Sequence, residues 1–147
     1  LLTLAAPSFI STLARNRLEG AANELVTDLH YARSEAVARN VPVTLAVGST
    51  RTCYTISANG ACDCTASPVC SAGATEIKTV NFSTTGAQAD TAVSFVFEPV
   101  RGALTGAASS VSVSRAGYLW QLRADVAAIG RVKICSPSGS FTGYPSC

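Results

Sequence analysis

The chain ends GRVKICSPSGSFTGYPSC, where two cations and two cysteines crowd one short stretch. Arg131 and Lys133 alternate with Val132 and Ile134. On a strand that alternation sets both cations on one face, roughly 6.5 Å apart, and turns Val132 and Ile134 toward a core. Two cations so placed can touch neighbouring phosphates of a nucleic-acid backbone. Loop amides and the hydroxyls of Ser136, Ser138, Ser140 and Thr142 are available to assist. Nothing in the set can read base edges, so such binding is expected to be indifferent to sequence and sensitive to salt. The competing reading is a wet strand face that carries charge for solubility and to discourage edge pairing. Arg101, Arg115 and Arg123 are further cations that the sequence alone does not place, and no acidic side chain follows Asp125.

The cysteines suggest a different chemistry. Cys135 and Cys147 read as a disulfide that closes a short terminal loop. Chain-entropy arguments give such a closure about 3 kcal/mol, and it would pin a tail that otherwise frays. Cys53, Cys62, Cys64 and Cys70 could ligate zinc or form two disulfides. The close pair is Cys-x-Cys, whereas zinc loops favour two to four intervening residues, so disulfides are expected. Cys62 and Cys64 are too close to pair with each other, so each should reach Cys53 or Cys70. An even count of six cysteines points to an oxidising compartment. No metal or cofactor is expected, and no nucleophile elbow, phosphate loop, zinc-protease or paired-carboxylate motif is present. The chain therefore does not read as an enzyme. Its one histidine, His30, is expected to be a partly buried packing residue, Trp120 to be core or half-buried, and Glu98 and Asp125 to be surface acids.

These residues need elements to hold them. At 147 residues the chain can bury a core of its own. It is 48% hydrophobic and 14% charged, with a net charge of +2, so any polyanion site must be a local patch rather than a property of the whole surface. Leu18, Ala21, Ala22, Leu25, Leu29, Ala32, Ala36 and Val37 recur at steps of three and four, which predicts one helix from about residue 8 to residue 39. Arg15–Glu19 and Glu35–Arg39 are spaced for i,i+4 pairs, and Pro42 ends the helical run through its effect on Val41. From Val43 onward PVTLAV, CYTIS, EIKTVNF, VSFVF, SVSVS, YLWQL and RVKIC predict short antiparallel strands, several with one wet face. FEPVRG predicts a turn at Pro99 and Gly102. No run reaches the ~18 apolar residues of a membrane span, yet LLTLAAPSFI reads like the tail of one.

The order of a long helix and then an antiparallel sheet resembles type IV pilins. Ala6-Pro7-Ser8-Phe9, Ala22-Asn23-Glu24-Leu25, and Ala32-Arg33-Ser34-Glu35-Ala36-Val37 with Arg39-Asn40 are similar to the GspH/FimT family of minor pilins and pseudopilins. FEPVRG and GRVKIC resemble its later strands. The resemblance implies an α+β, type IV pilin-like fold. The pilin helix would occupy residues 1–40 and a β-rich head, closed by the terminal disulfide loop, residues 41–147. It also implies a processed or shortened chain whose preceding segment anchors in the inner membrane, with the head in the periplasm of a Gram-negative bacterium and on a surface pilus. Other pilin subunits would be its partners. FimT-like members bind DNA through a C-terminal Gly-Arg-x-Arg, and the matching stretch here is Gly130-Arg131-Val132-Lys133. Lysine keeps the charge and loses the planar fork of arginine. The resemblance thus implies non-specific binding of double-stranded DNA in uptake for natural transformation, through Gly130, Arg131, Lys133, Ser136 and Ser138. The alternative it carries is a structural subunit that primes or caps a pilus or a type II secretion pseudopilus.

Overall fold

A computed structural model describes residues 6–67, 69–137, 139 and 141–147. A single unbroken helix, α1 (Ala6–Arg39), leads the chain. At 1.5 Å per residue it is about 51 Å long. Pro7 falls in its first turn, where the missing N–H leaves no bond unmade. Asn40, with φ of 54°, takes the left-handed position that closes many helices.

Ala14, Leu18, Ala21, Ala22, Leu25, Leu29, Ala32 and Ala36 are buried along one stripe. Val37, expected on that stripe, is exposed instead. The step of four from Ala32 already places Ala36 against the sheets, which leaves Val37 turned outward. Before Ala14 the helix runs past the head, with Phe9, Ile10 and Leu13 exposed.

The stripe packs on two four-stranded antiparallel sheets. The first has the order β3-β2-β1-β5, built from β1 (Val43–Val47), β2 (Cys53–Ala58), β3 (Thr75–Asn81) and β5 (Ser94–Phe97). The second has the order β4-β6-β7-β8, built from β4 (Ala87–Ala89), β6 (Ser109–Arg115), β7 (Gln121–Val126) and β8 (Val132–Cys135). The strand expected at YLWQL starts later, at Gln121, and runs on to Val126. Tyr118 and Trp120 stack in the preceding loop, ring centroids 4.5 Å apart.

Strand β7 alternates as the sequence predicts for a sheet with one wet face, and β6 does so except at Ser112, which is buried. Val111, Val113, Leu122, Ala124 and Val126 are buried, while Ser110 is exposed and Arg123 and Asp125 are partly so. Strands β1 and β2 are buried at every position. Their second face is covered because the cystine-bearing segment folds back, bringing Ala61, Cys62 and Asp63 beside Ala46 and Val47. Two disulfides, Cys53–Cys64 and Cys62–Cys70, tie that segment to β2 and to itself.

A buried polar cluster fastens the helix to the first sheet. Asp28, on the apolar stripe, is 4% exposed. It accepts a hydrogen bond from the Tyr54 hydroxyl at 2.6 Å and from Lys78 Nζ at 2.7 and 2.8 Å. Burial, and then the hydrogen bond to Asp28, push the Tyr54 hydroxyl far above its ordinary pKa. The hydrogen bond to Asp28 raises Lys78.

Candidate functional site

The two C-terminal cations are positioned by the hairpin between β7 and β8. Ala127 N–H donates to the Arg131 carbonyl at 2.9 Å, and Gly130 N–H donates to the Ala127 carbonyl at 2.8 Å. The loop therefore holds three residues and ends on a left-handed one, Gly130, with φ of 81°. Glycine is needed there twice over. A side chain would also meet the Gly102 carbonyl oxygen, which lies 2.0 Å from where a Cβ would stand. The Pro99–Gly102 turn thus packs directly on the hairpin, and Leu104 N–H donates to the Ala128 carbonyl across the same junction. Gly130 acts by shaping this corner, since it is itself buried.

Beyond that corner the outer face of the second sheet opens into a shallow groove of about 410 Å³. Arg123, Arg131 and Lys133 line it, together with Asp125. Ala108, Ser109, Ser110 and Ala127 complete the lining, and their small side chains leave the charges accessible. Arg131 and Lys133 therefore share a face, although Arg131 sits at the hairpin end just before β8. Val132 is buried and Ile134 partly buried on the opposite side. Asp125, expected to follow a strand as an ordinary surface acid, is instead inside β7 and directly across from Lys133. Its Oδ1 lies 2.7 Å from Arg123 Nε, and its Oδ2 accepts from Arg123 Nη2 at 3.2 Å. Arg123 thereby joins the cationic set, and Asp125 partly neutralises it.

Among the described residues of the terminal loop, Ser136 and Thr142 do not lend their hydroxyls to the groove as expected. Ser136 is fully buried. Its N–H donates to the Pro145 carbonyl, its carbonyl accepts from Cys147 N–H, and its Oγ accepts from Phe141 N–H. Each of these polar atoms of Ser136 is committed to stitching the loop, so Ser136 is part of the scaffold and not, as expected, a ligand contact. Ser138 and Ser140 lie outside the described residues. The structure pairs Cys135 with Cys147, and the loop they close is docked on the helix. Arg15 stacks over the Phe141 ring at 4.5 Å and donates to Thr142. The Tyr144 hydroxyl donates to Glu19 and accepts from Asn23. Arg15 and Glu19, spaced as an intrahelical pair, are thus spent on holding the loop.

The remaining cations lie elsewhere. Arg115 donates to the Thr85 carbonyl. Arg101 lines a separate cleft with His30, Arg33 and Val37. His30 is exposed rather than partly buried, because it follows Leu29 around the helix onto the wet side. Trp120 is half-buried against the core, as its aromatic neighbourhood suggests. Asp125 and the two sulfurs of Cys135 and Cys147 cluster closely, but both sulfurs are committed to the disulfide, so the cluster is not a metal centre.

The model of the family described as type II transport protein GspH matches residues 21–130, well over half of the chain. The groove's Arg131 and Lys133 fall just past that match. No curated protein matches the sequence. Solved structures of two proteins illustrate the shared fold. The type IV minor pilin FimU of Pseudomonas aeruginosa superposes with a TM-score of 0.62 at 22% identity, covering 82% of this chain and 89% of its own. The minor pseudopilin EpsH of the Vibrio cholerae type 2 secretion system gives a TM-score of 0.62 at 14% identity, covering 82% and 98%. Among the described residues no helix is long and apolar enough to cross a membrane. With its long N-terminal helix on antiparallel sheets and the family match across both, the chain belongs to the GspH family and has the type IV pilin-like α+β fold.

Proposed function

We propose that this chain is a minor pilin subunit that binds double-stranded DNA without regard to sequence, in DNA uptake by a type IV pilus. The observation that supports this most is the convergence of Arg131, Lys133 and Arg123 on one open groove floored by small residues. A phosphate backbone can lie against such a surface, with Lys133 as a compact point charge in place of a second fork beside Arg131. The GspH family membership and the pilin-like fold set the frame. The projecting helix, with Phe9, Ile10 and Leu13 outward, offers an apolar rod to neighbouring subunits and to the inner membrane.

The alternative, a structural subunit of a pilus or of a type II secretion pseudopilus, draws on Asp125, which reduces the charge of the groove. A titration decides between them. Labelled duplex is bound at low and moderate salt by the wild type and by Arg131→Gln/Lys133→Gln. DNA binding predicts a log–log salt slope near −0.9 per phosphate contact, about −1.8 for two, and loss of most affinity in the double variant. Absence of binding at low salt, or an unaffected double variant, leaves the structural role.

A further inference from the structure

We infer that Asp125 is an internal competitor in this groove: it occupies Arg123 and withholds it from phosphate, so that loss of its charge frees Arg123 as a third cationic contact. The inference rests on the groove being a polyanion site and adds how that site is tuned.

Three cations line the groove, and one of them is engaged. Arg123 and Asp125 stand two residues apart on the outer face of β7, so their side chains lie side by side. The carboxylate meets the guanidinium on two nitrogens, at 2.7 and 3.2 Å. Only the Nη2 contact is a hydrogen bond, and the buried Nε makes none among the described residues, so the carboxylate holds Arg123 by charge and one hydrogen bond and leaves the two-pronged grip unused. The side chains of Arg123 and Asp125 are 33% and 38% exposed, so the pair is reachable by an incoming anion and is held only weakly by solvent-screened attraction.

Among the described residues no second cation is paired with Asp125. Lys133 is its cross-strand neighbour without an ion pair to it among the described residues. Cys135 Sγ lies 3.4 Å from its Oδ2, but a disulfide sulfur has no proton to donate. Ser110, its partner on β6, is exposed and free to serve either carboxylate or phosphate. The same residues can therefore be two-pronged for an anion or paired with each other, and Asp125 decides which.

The test uses the whole chain and a labelled duplex of mixed sequence, with binding measured at several salt concentrations. Asp125→Asn should tighten binding at low salt and steepen the slope by about 0.9, so that its gain over wild type shrinks about 3.5-fold between 50 and 200 mM salt. Arg123→Gln should change wild-type binding less than twofold yet abolish the gain when combined with Asp125→Asn. Glu24→Gln, which removes a charge beside Lys78 on the other sheet, should leave the slope alone. Circular dichroism checks each fold, and Asp125→Ser replaces Asp125→Asn should the latter misfold. Binding by Asp125→Asn where the wild type is silent also supports the competitor. If wild type binds, the Arg131/Lys133 variant fails to bind, and Asp125→Asn keeps the wild-type slope, the competitor is refuted while the DNA reading stands. If wild type and Asp125→Asn are both silent at low salt, both fall together.

Discussion

Asp28→Asn probes what fastens the head to its helix. The substitution preserves shape and removes charge. In the native protein the carboxylate is 4% exposed and takes hydrogen bonds from the Tyr54 hydroxyl and from Lys78. Asparagine can still accept from Tyr54 through its oxygen. Its amide then faces the ammonium of Lys78, donor against donor. A hydrogen bond to a charged group contributes about 1.5–3 kcal/mol. Lys78 is 39% exposed and has Glu24 at 3.6 Å as a second partner, so it recovers part of the loss. The expected cost is about 2 kcal/mol. For a domain of this size that lowers Tm by about 4–8 °C. Urea unfolding followed by circular dichroism supplies the free energy, on a chain short enough for two-state treatment. Tyr54→Phe, and the two changes together, complete a cycle in which a coupling of at least ~0.5 kcal/mol is expected. A single-variant change within about 0.5 kcal/mol of zero, or additivity in the cycle, would show that the cluster is not the fastener described.

Alkaline stability should follow the same cluster. Lys78 and Tyr54 both titrate above their ordinary values in the folded protein. Each therefore contributes stability that is fully present below the unfolded-chain values of roughly 10 and is lost as pH rises through the folded ones. Tm measured from pH 8 to 11.5 should fall above pH ~10, and less steeply in Asp28→Asn. Cys135→Ser/Cys147→Ser should lower stability by about 2–3 kcal/mol, and hydrogen exchange should quicken over residues 15–23 because Phe141 and Tyr144 lose their tether to that part of α1. Gly130→Ala should lower stability by at least ~1 kcal/mol, since it forces a side chain at positive φ against the Gly102 carbonyl; an unchanged urea midpoint would mean that the corner yields freely.

Much of the fold was legible because its elements are locally self-consistent. The stripe from Leu18 to Ala36 keeps helical spacing, and six of the strands sit where β-branched runs lie between Gly, Asn and Pro. What escaped depended on partners distant in sequence. The aromatic run YLW carries strand propensity, yet Tyr118 and Trp120 stack on each other in a loop, and β7 begins after them. The short β4, Ala-Gln-Ala, has no β propensity and exists because β6 offers it an edge. In the site, Arg131 and Lys133 could be placed on one face from alternation alone. Asp125 could not be placed beside them until the register of β7 against β8 was known. Ser136 looked like a free hydroxyl because composition marks a loop as polar without saying where its hydrogen bonds go. Asp28 did leave a signal: it falls three residues after Leu25 and four before Ala32, so an acid stood on the buried stripe and needed a partner.

The polar residues of α1 divide the head among themselves, and this bears on the groove. Arg15, Glu19 and Asn23 hold the terminal loop, Asp28 holds β2 and β3, and Arg33 packs against Gly102 and Gly130. Going along the helix, successive turns thus grip the C-terminus, the first sheet, and the corner from which Arg131 springs. The groove has no rigid element of its own beneath Arg131, only a three-residue loop. Its geometry is borrowed from the helix through Arg33 and from the disulfide loop through Cys135, which sits across from Arg123. A rotation of the helix relative to the second sheet would move Arg131 and Arg123 by different amounts, because one is referred to Arg33 and the other to the sheet. Packing of the helix against neighbours in a filament would then fix the spacing of the cations, and the groove would be at its most regular in the assembled subunit.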